Sequence, residues 1–231
     1  MSADLAAIFA PLVRHHIATP ASPLPARTAG ITWIWTADGI AKRGVNDHLE
    51  VLIPVSRTRP VPGLASLPPY VRWPDYGQAR LPGSLLRAAL VAALSATAPL
   101  GGLVVPIEIQ AFVVWNGVAP ALRIPPQHAD QMRVAYEQPH DMPVMLDLHS
   151  HHALPACFSA TDHRDDRSAG LSVSTVIGNL FVQPEILVRL NVYGDHGIVP
   201  ARLVFDDLGP FVDRAVTRGY VMEDADAHSD G

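Results

Sequence analysis

The chain has 231 residues, 48% of them hydrophobic, and a formal charge of −5. That composition sustains a buried core and excludes a disordered chain, while the acidic balance and the lack of a basic stripe argue against nucleic acid as a partner. The single cysteine, Cys157, excludes an intramolecular disulfide and suits a reducing, cytoplasmic setting.

The opening MSADLAAIFAPLVRHH has no basic n-region and no long apolar run, so a signal peptide is not expected. Leu5, Ile8, Phe9 and Leu12 fall at helical spacing and predict a short amphipathic helix. GITWIWTADGIAKRG predicts a strand and a turn, and DHLEVLIPV another strand. Prolines at 54, 60, 62, 68, 69, 74 and 82 exclude a continuous helix or central strand and predict an extended connection. Ser84 is then a candidate cap for a helix ending at Pro99, with Leu86, Leu90 and Leu94 on its apolar face. The uncharged run 88–107 is long enough to cross a bilayer. Its breaks at Pro99, Gly101, Gly102 and Pro106 favour a buried helix followed by a buried strand, so no membrane is expected.

IEIQAFVVW predicts a buried strand, Asn116-Gly117 a tight turn, and VAPALRI the return strand. DQMRVAYEQ suits a short helix or an irregular crossing. PVMLDLH is a strand ending at His149, and GLSVSTVIG is another. EILVRLNVY and IVPARLVF form a second hairpin around GDHG, and FVDRAVTRGY predicts a C-terminal helix. Hairpins, and more strands than helices, predict an α+β fold: a mixed β-sheet flanked by helices. Three parts are expected: an N-terminal accessory region (1–83) of strands and a Pro-rich connection, a main domain (84–222), and an acidic flexible tail (223–231).

Chemistry concentrates in LDLHSHHALPACFSATD, residues 146–162. Strand residues i and i+2 point to one side, so His149 and His151 project together as half of a zinc site. A catalytic zinc takes three protein ligands and keeps a fourth position for water; Asp162 is the candidate third ligand, with Ser159 beside the open position. A set of hydrogen-bonded structural histidines is the competing account. Ser159 can simply cap a helix turn. His152 points the other way, and His163 with Asp165 and Asp166 suits a solvated turn. Asp147 lies on the His149 side and needs a partner if buried. Cys157 lies in the ligand loop.

His149, His151, Ser159 and Asp162 resemble the signature of the JAB/JAMM family of zinc metalloproteases, which includes deubiquitinating enzymes. The resemblance covers roughly residues 84–205. It implies a JAB/MPN-like (cytidine-deaminase-like) core, a Zn²⁺ cofactor, and an upstream glutamate as general base. Glu108 stands in that place, at the head of the strand after the helix; Glu50 is its rival. The resemblance implies a metal-activated water that attacks an amide. Glu108 would take the water's proton and return it to the leaving amine, and Ser159 would donate to the oxyanion. It also implies a small ubiquitin-like protein as partner, and a ThiF-like protein of the ubiquitin-activating type. After Asp162 the segment HRDDRSAG is short and polar, so a truncated helix is expected there.

Two other functions compete. DLHSH also resembles the opening of PHP-type phosphoesterases, but the chain after His151 holds only His152, His163, His196 and His228, too few ligands for that barrel. A non-catalytic JAB-fold binding module with structural zinc is the remaining alternative.

Overall fold

A computed structural model describes residues 13–77, 79–129 and 134–217. The expected N-terminal helix before residue 13 and the acidic tail fall outside the described residues.

A five-stranded sheet comes first: β1 (Val13–Ile17), β2 (Gly30–Thr36), β3 (Gly39–Val45), β4 (Glu50–Arg57) and β5 (Tyr70–Arg72), in that spatial order. β1 runs parallel to β2, and the other neighbours are antiparallel. Pro54 lies within β4, where the ladder to β3 shifts register between Ile40 and Ala41. On its other side β5 pairs only with Glu50–Leu52, so the missing N–H of Pro54 interrupts no bond to β5.

Helix α1 (Gly83–Ser95) follows the Pro-rich connection. Ser84 does not cap it: the N-cap is Pro82, and the Asp206 carboxylate accepts the Gly83 N–H at 2.7 Å. Glycine is required there, since a Cβ would stand 2.2 Å from the Asp207 carbonyl oxygen. The buried stripe is Gly83, Leu86, Ala89 and Ala93, whereas Leu94 is exposed. Small side chains let the helix backbone approach the sheet more closely than a leucine face would. A hairpin follows, β6 (Thr97–Leu100) and β7 (Leu103–Pro106), turning at Gly101-Gly102. Leu103 and Val104 on it are exposed, which corrects the expected buried strand. No helix among the described residues is long and apolar enough to cross a membrane.

The second sheet has seven strands. They are β8 (Gln110–Trp115), β9 (Pro120–Arg123), β12 (Val144–Ser150), β13 (Leu171–Gly178), β14 (Glu185–Val192), β15 (Asp195–Val199) and β16 (Val212–Asp213). The order is β15-β14-β13-β12-β8-β9, with β16 beside β14. β12 and β13 are parallel, joined through helix α2 (Ala160–Ala169), and most other pairs are antiparallel, so the sheet is mixed as expected. The polar segment after Ser159 carries a helix of 10 residues. A separate hairpin, β10 (Gln127–Ala129) with β11 (Val134–Tyr136), occupies part of the stretch expected to be helical or irregular. β15 stops at Val199 before Pro200, and a 3-10 turn replaces the rest of the expected strand. Of the helix expected over 211–220, Val212–Asp213 form β16, Arg214–Thr217 form α3, and residues 218–220 lie outside the described residues.

One face of the second sheet carries Ala111, Val113, Leu146, Leu148, Val173, Ile177, Val188 and Leu190. It forms a single core with Leu86 and Ala89 of α1, with Val51, Ile53 and Val71 from the first sheet, and with Trp73 just after β5. Polar ties reinforce that docking. The Trp73 indole donates to the Met145 carbonyl at 3.1 Å, and Lys42 donates to the Tyr193 carbonyl at 2.8 Å and to Asp195 at 2.7 Å. The first sheet is therefore a layer of the common core. The opposite face of the second sheet is partly polar and is covered by α2.

Candidate metal centre

Strand periodicity fixes which residues occupy that polar face. In β12, Leu146 and Leu148 point to the core, so Asp147 and His149 point away from it. Across the ladders, His149 stands beside Gln110 and Val176, and Asp147 beside Phe112 and Ser174. His151 lies just past the strand end, but its N–H still donates to the Ile177 carbonyl at 2.8 Å. That bond keeps it next to His149, with ring centroids 5.0 Å apart.

Asp162 arrives from α2. Its placement follows from a capping box: the Ser159 hydroxyl oxygen accepts the Asp162 N–H at 3.2 Å, and Asp162 Oδ2 accepts the Ser159 N–H at 2.5 Å. One carboxylate oxygen is thereby engaged by the helix start. The other, Oδ1, stands 3.6 Å from His149 Nε2. An acid in the first turn is also favoured by the helix dipole. Among the described residues, His149, His151 and Asp162 form a group whose ligand atoms all lie within 4.8 Å of one another.

The donor set fits a metal ion. His149 Nε2 is sealed from solvent and has no hydrogen-bond partner among the described residues, an expensive state for a polar atom unless something binds it. Burial pushes the His149 pKa down to about 4, against the opposing pull of Asp162. Burial lowers His151 as well. Burial alone would raise Asp162, but the charge of His149 and the hydrogen bonds from Ser159 hold it below the usual carboxylate range. At neutral pH the site thus presents two neutral imidazoles and a carboxylate, the protonation states that metal binding requires. The His151 ring lies with Nδ1 3.3 Å from the Pro155 carbonyl; a proton on Nδ1 donates there and leaves the Nε2 lone pair free to bind.

The other expected residues fall as follows. Glu108 precedes β8 by two residues and is half-buried. Hydrogen bonds from the Ser150 N–H to the Ile109 carbonyl and from the Ile109 N–H to Ser150 Oγ, both 3.0 Å, extend the β8–β12 register, so Glu108 comes opposite His151. Glu50 is elsewhere. It is buried in the first sheet, held by Arg43 at 2.9 Å and by the Tyr70 hydroxyl at 2.5 Å. Asp147 has the partner it needed, since the Gln110 amide donates to it at 2.7 Å. Cys157 is exposed, with its sulfur 3.8 Å from His151 Nδ1. His163 is not in a solvated turn: it lies on α2, 2.8 Å from an Arg189 nitrogen, with its ring centroid 5.3 Å from that of His196 and the rings tilted.

Gln110, Phe158 and Arg189 were not singled out from the sequence. A lone arginine inside the apolar strand EILVRLNV was the available signal, because a charge in a buried strand needs a reason.

Residues 86–191 match the family model described as prokaryotic homologs of the JAB domain. That span carries Glu108, His149, His151, Ser159 and Asp162, and the match supports the JAB family for this part of the chain. No curated protein matches the chain.

Proposed function

We propose that this protein is a zinc-dependent peptidase or isopeptidase that hydrolyses an amide bond at the C-terminal tail of a ubiquitin-like partner. The observation that carries this reading is the convergence of two imidazoles and an oriented carboxylate within 4.8 Å, one imidazole nitrogen being buried and unsatisfied. His149, His151 and Asp162 would hold the ion. Bound there, Zn²⁺ supplies the Lewis acidity that makes water nucleophilic near neutral pH and polarises the scissile carbonyl.

The chain's own groups do the rest. Glu108, opposite His151, accepts the proton of the attacking water and passes it to the leaving amine. Ser159 uses its oxygen as the helix cap, and that role does not consume its O–H proton. Before substrate binds, that proton is shared with the Asp162 carboxylate; with substrate bound, the O–H turns to hydrogen-bond the oxyanion as the carbonyl carbon becomes tetrahedral. Gln110 and Asp147 form a polar floor beside His149. No acyl-enzyme is required, so Cys157 has no nucleophilic role. The narrower reading is protein A of the PRTRC system, a bacterial and often plasmid-borne cassette that also encodes a small ubiquitin-like protein and a ThiF-like protein. It rests on the overall likeness of the sequence.

Elemental analysis of the purified chain beside a His149→Ala variant tests the metal site. Incubation of both with a ubiquitin-like protein carrying a C-terminal extension tests the chemistry. One zinc per chain and cleavage, both lost in the variant, are expected. Zinc retained by the variant would remove the site; stoichiometric zinc with no cleavage of any such fusion would favour a binding module.

A further inference from the structure

Arg189 is fully buried in β14, on the site face of the second sheet. It belongs to a row that crosses the sheet, Asp147 beside Ser174 beside Arg189. Its guanidinium makes three contacts, two with α2 and one with the residue before its cap. The guanidinium carbon lies 3.8 Å from the centroid of the Phe158 ring, the residue before the Ser159 cap. One terminal nitrogen stands 2.8 Å from His163 Nδ1, and the other donates to the Asp162 main-chain carbonyl at 3.2 Å. The negative charges of Asp162 and Asp147 favour its cationic form against the cost of burial.

We infer that Arg189 is a positioning residue for the metal centre: it locks the first turn of α2 onto the sheet and so fixes where Asp162 meets His149. The inference rests on the zinc-site reading above. The capping box orients the Asp162 carboxylate only within its own turn. His149 belongs to β12, and Asp162 to a helix reached through a nine-residue loop, residues 151–159. Something must hold helix to sheet if the two ligands are to stay within a few tenths of an ångström of a shared ion. A planar fork that stacks on one residue and bonds two others does this, and a single ammonium can keep only part of it.

Two effects of Arg189 on a divalent cation have opposite signs. As a nearby positive charge it repels the ion, so charge alone predicts that its removal tightens binding. As an anchor it preorganises a ligand, so removal weakens binding. Losing a group that orients a metal ligand typically costs about 10- to 100-fold in affinity, and that is the expected outcome.

The test uses the full chain, stripped of metal and titrated with Zn²⁺ against a chromophoric chelator, for wild type, Arg189→Met, Arg189→Lys and His163→Ala. Circular dichroism and melting of the metal-free proteins report folding. The visible spectrum of each Co²⁺-loaded protein reports ligand geometry. A folded Arg189→Met with zinc affinity reduced about 10- to 100-fold and an altered cobalt spectrum is expected, with partial recovery in Arg189→Lys. If Arg189→Met does not fold, His163→Ala decides, since it loosens the same anchor from the helix side and leaves the buried charge in place. A folded Arg189→Met, or in its place His163→Ala, that binds zinc as tightly as wild type or more tightly overturns the inference and leaves the zinc site standing. A wild-type chain that takes up no zinc overturns both.

Discussion

Ser159 caps α2, the proposed mechanism gives the same hydroxyl a second role at the oxyanion, and two substitutions separate the two. Its oxygen accepts the Asp162 N–H at 3.2 Å and caps α2; its proton is assigned to the oxyanion. Ser159→Ala removes both functions. Loss of an N-cap costs about 1 kcal/mol, which lowers Tm by roughly 2–4 °C in a chain of this size. Loss of one oxyanion donor costs about 10²–10³ in kcat, or roughly 3–4 kcal/mol of barrier. Ser159→Gly keeps nearly all the cap stability, because glycine is only a few tenths of a kcal/mol worse than serine there. The glycine variant should therefore melt close to wild type yet be as slow as the alanine variant. Melting curves and cleavage of a tail-extended ubiquitin-like fusion, both at saturating zinc, provide the two readouts. A glycine variant that cleaves at close to the wild-type rate would show that Ser159 acts only as a cap, and the oxyanion assignment would be withdrawn.

Glu108→Gln should bind zinc like wild type and lose turnover, measured by elemental analysis and the same cleavage assay; normal turnover removes Glu108 from the mechanism. The pH dependence of the metal-free protein follows from His149, whose folded pKa of about 4 lies below its ordinary 6.5. As pH falls below 6.5 the unfolded chain takes up this proton first, so stability drops until the folded pKa is passed, by about 2 kcal/mol between pH 7 and pH 5. Urea unfolding at the two pH values should show this drop in wild type and a smaller one in His149→Leu. Gly178→Ala tests the loop that carries the site, since a Cβ there would lie 2.4 Å from Ala156 N and 2.5 Å from the Leu154 carbonyl oxygen. Those are backbone atoms that cannot swing aside, so about 1–3 kcal/mol of stability should be lost, together with zinc affinity. Unchanged melting and unchanged affinity would count against that packing.

Local chemistry was legible in the chain itself. The period of two in PVMLDLHSH put His149 and His151 on one side of a strand, and Ser159 was legible as a candidate helix cap, whereas the capping box with Asp162 came from the structure. Alternating and apolar runs marked most strands of the second sheet, but only β2 and β4 of the first. These features depend on neighbours a few residues away, so the amino-acid order alone carries them.

Long-range pairing decided the rest. Ser84 looked like a cap, but a carboxylate from Asp206 does that work, because the chain returns to α1 more than a hundred residues later. Glu50 and Glu108 both head apolar strands. Only the packing showed that one is locked to Arg43 in the first sheet while the other stands across from His151. The sequence shows Arg189 only as a charge inside an apolar strand, and its contacts with His163 and Asp162 come from the packing of β14 against α2. In each case a charged side chain has a meaning set by what it meets across the core, and separation along the chain carries no record of that meeting.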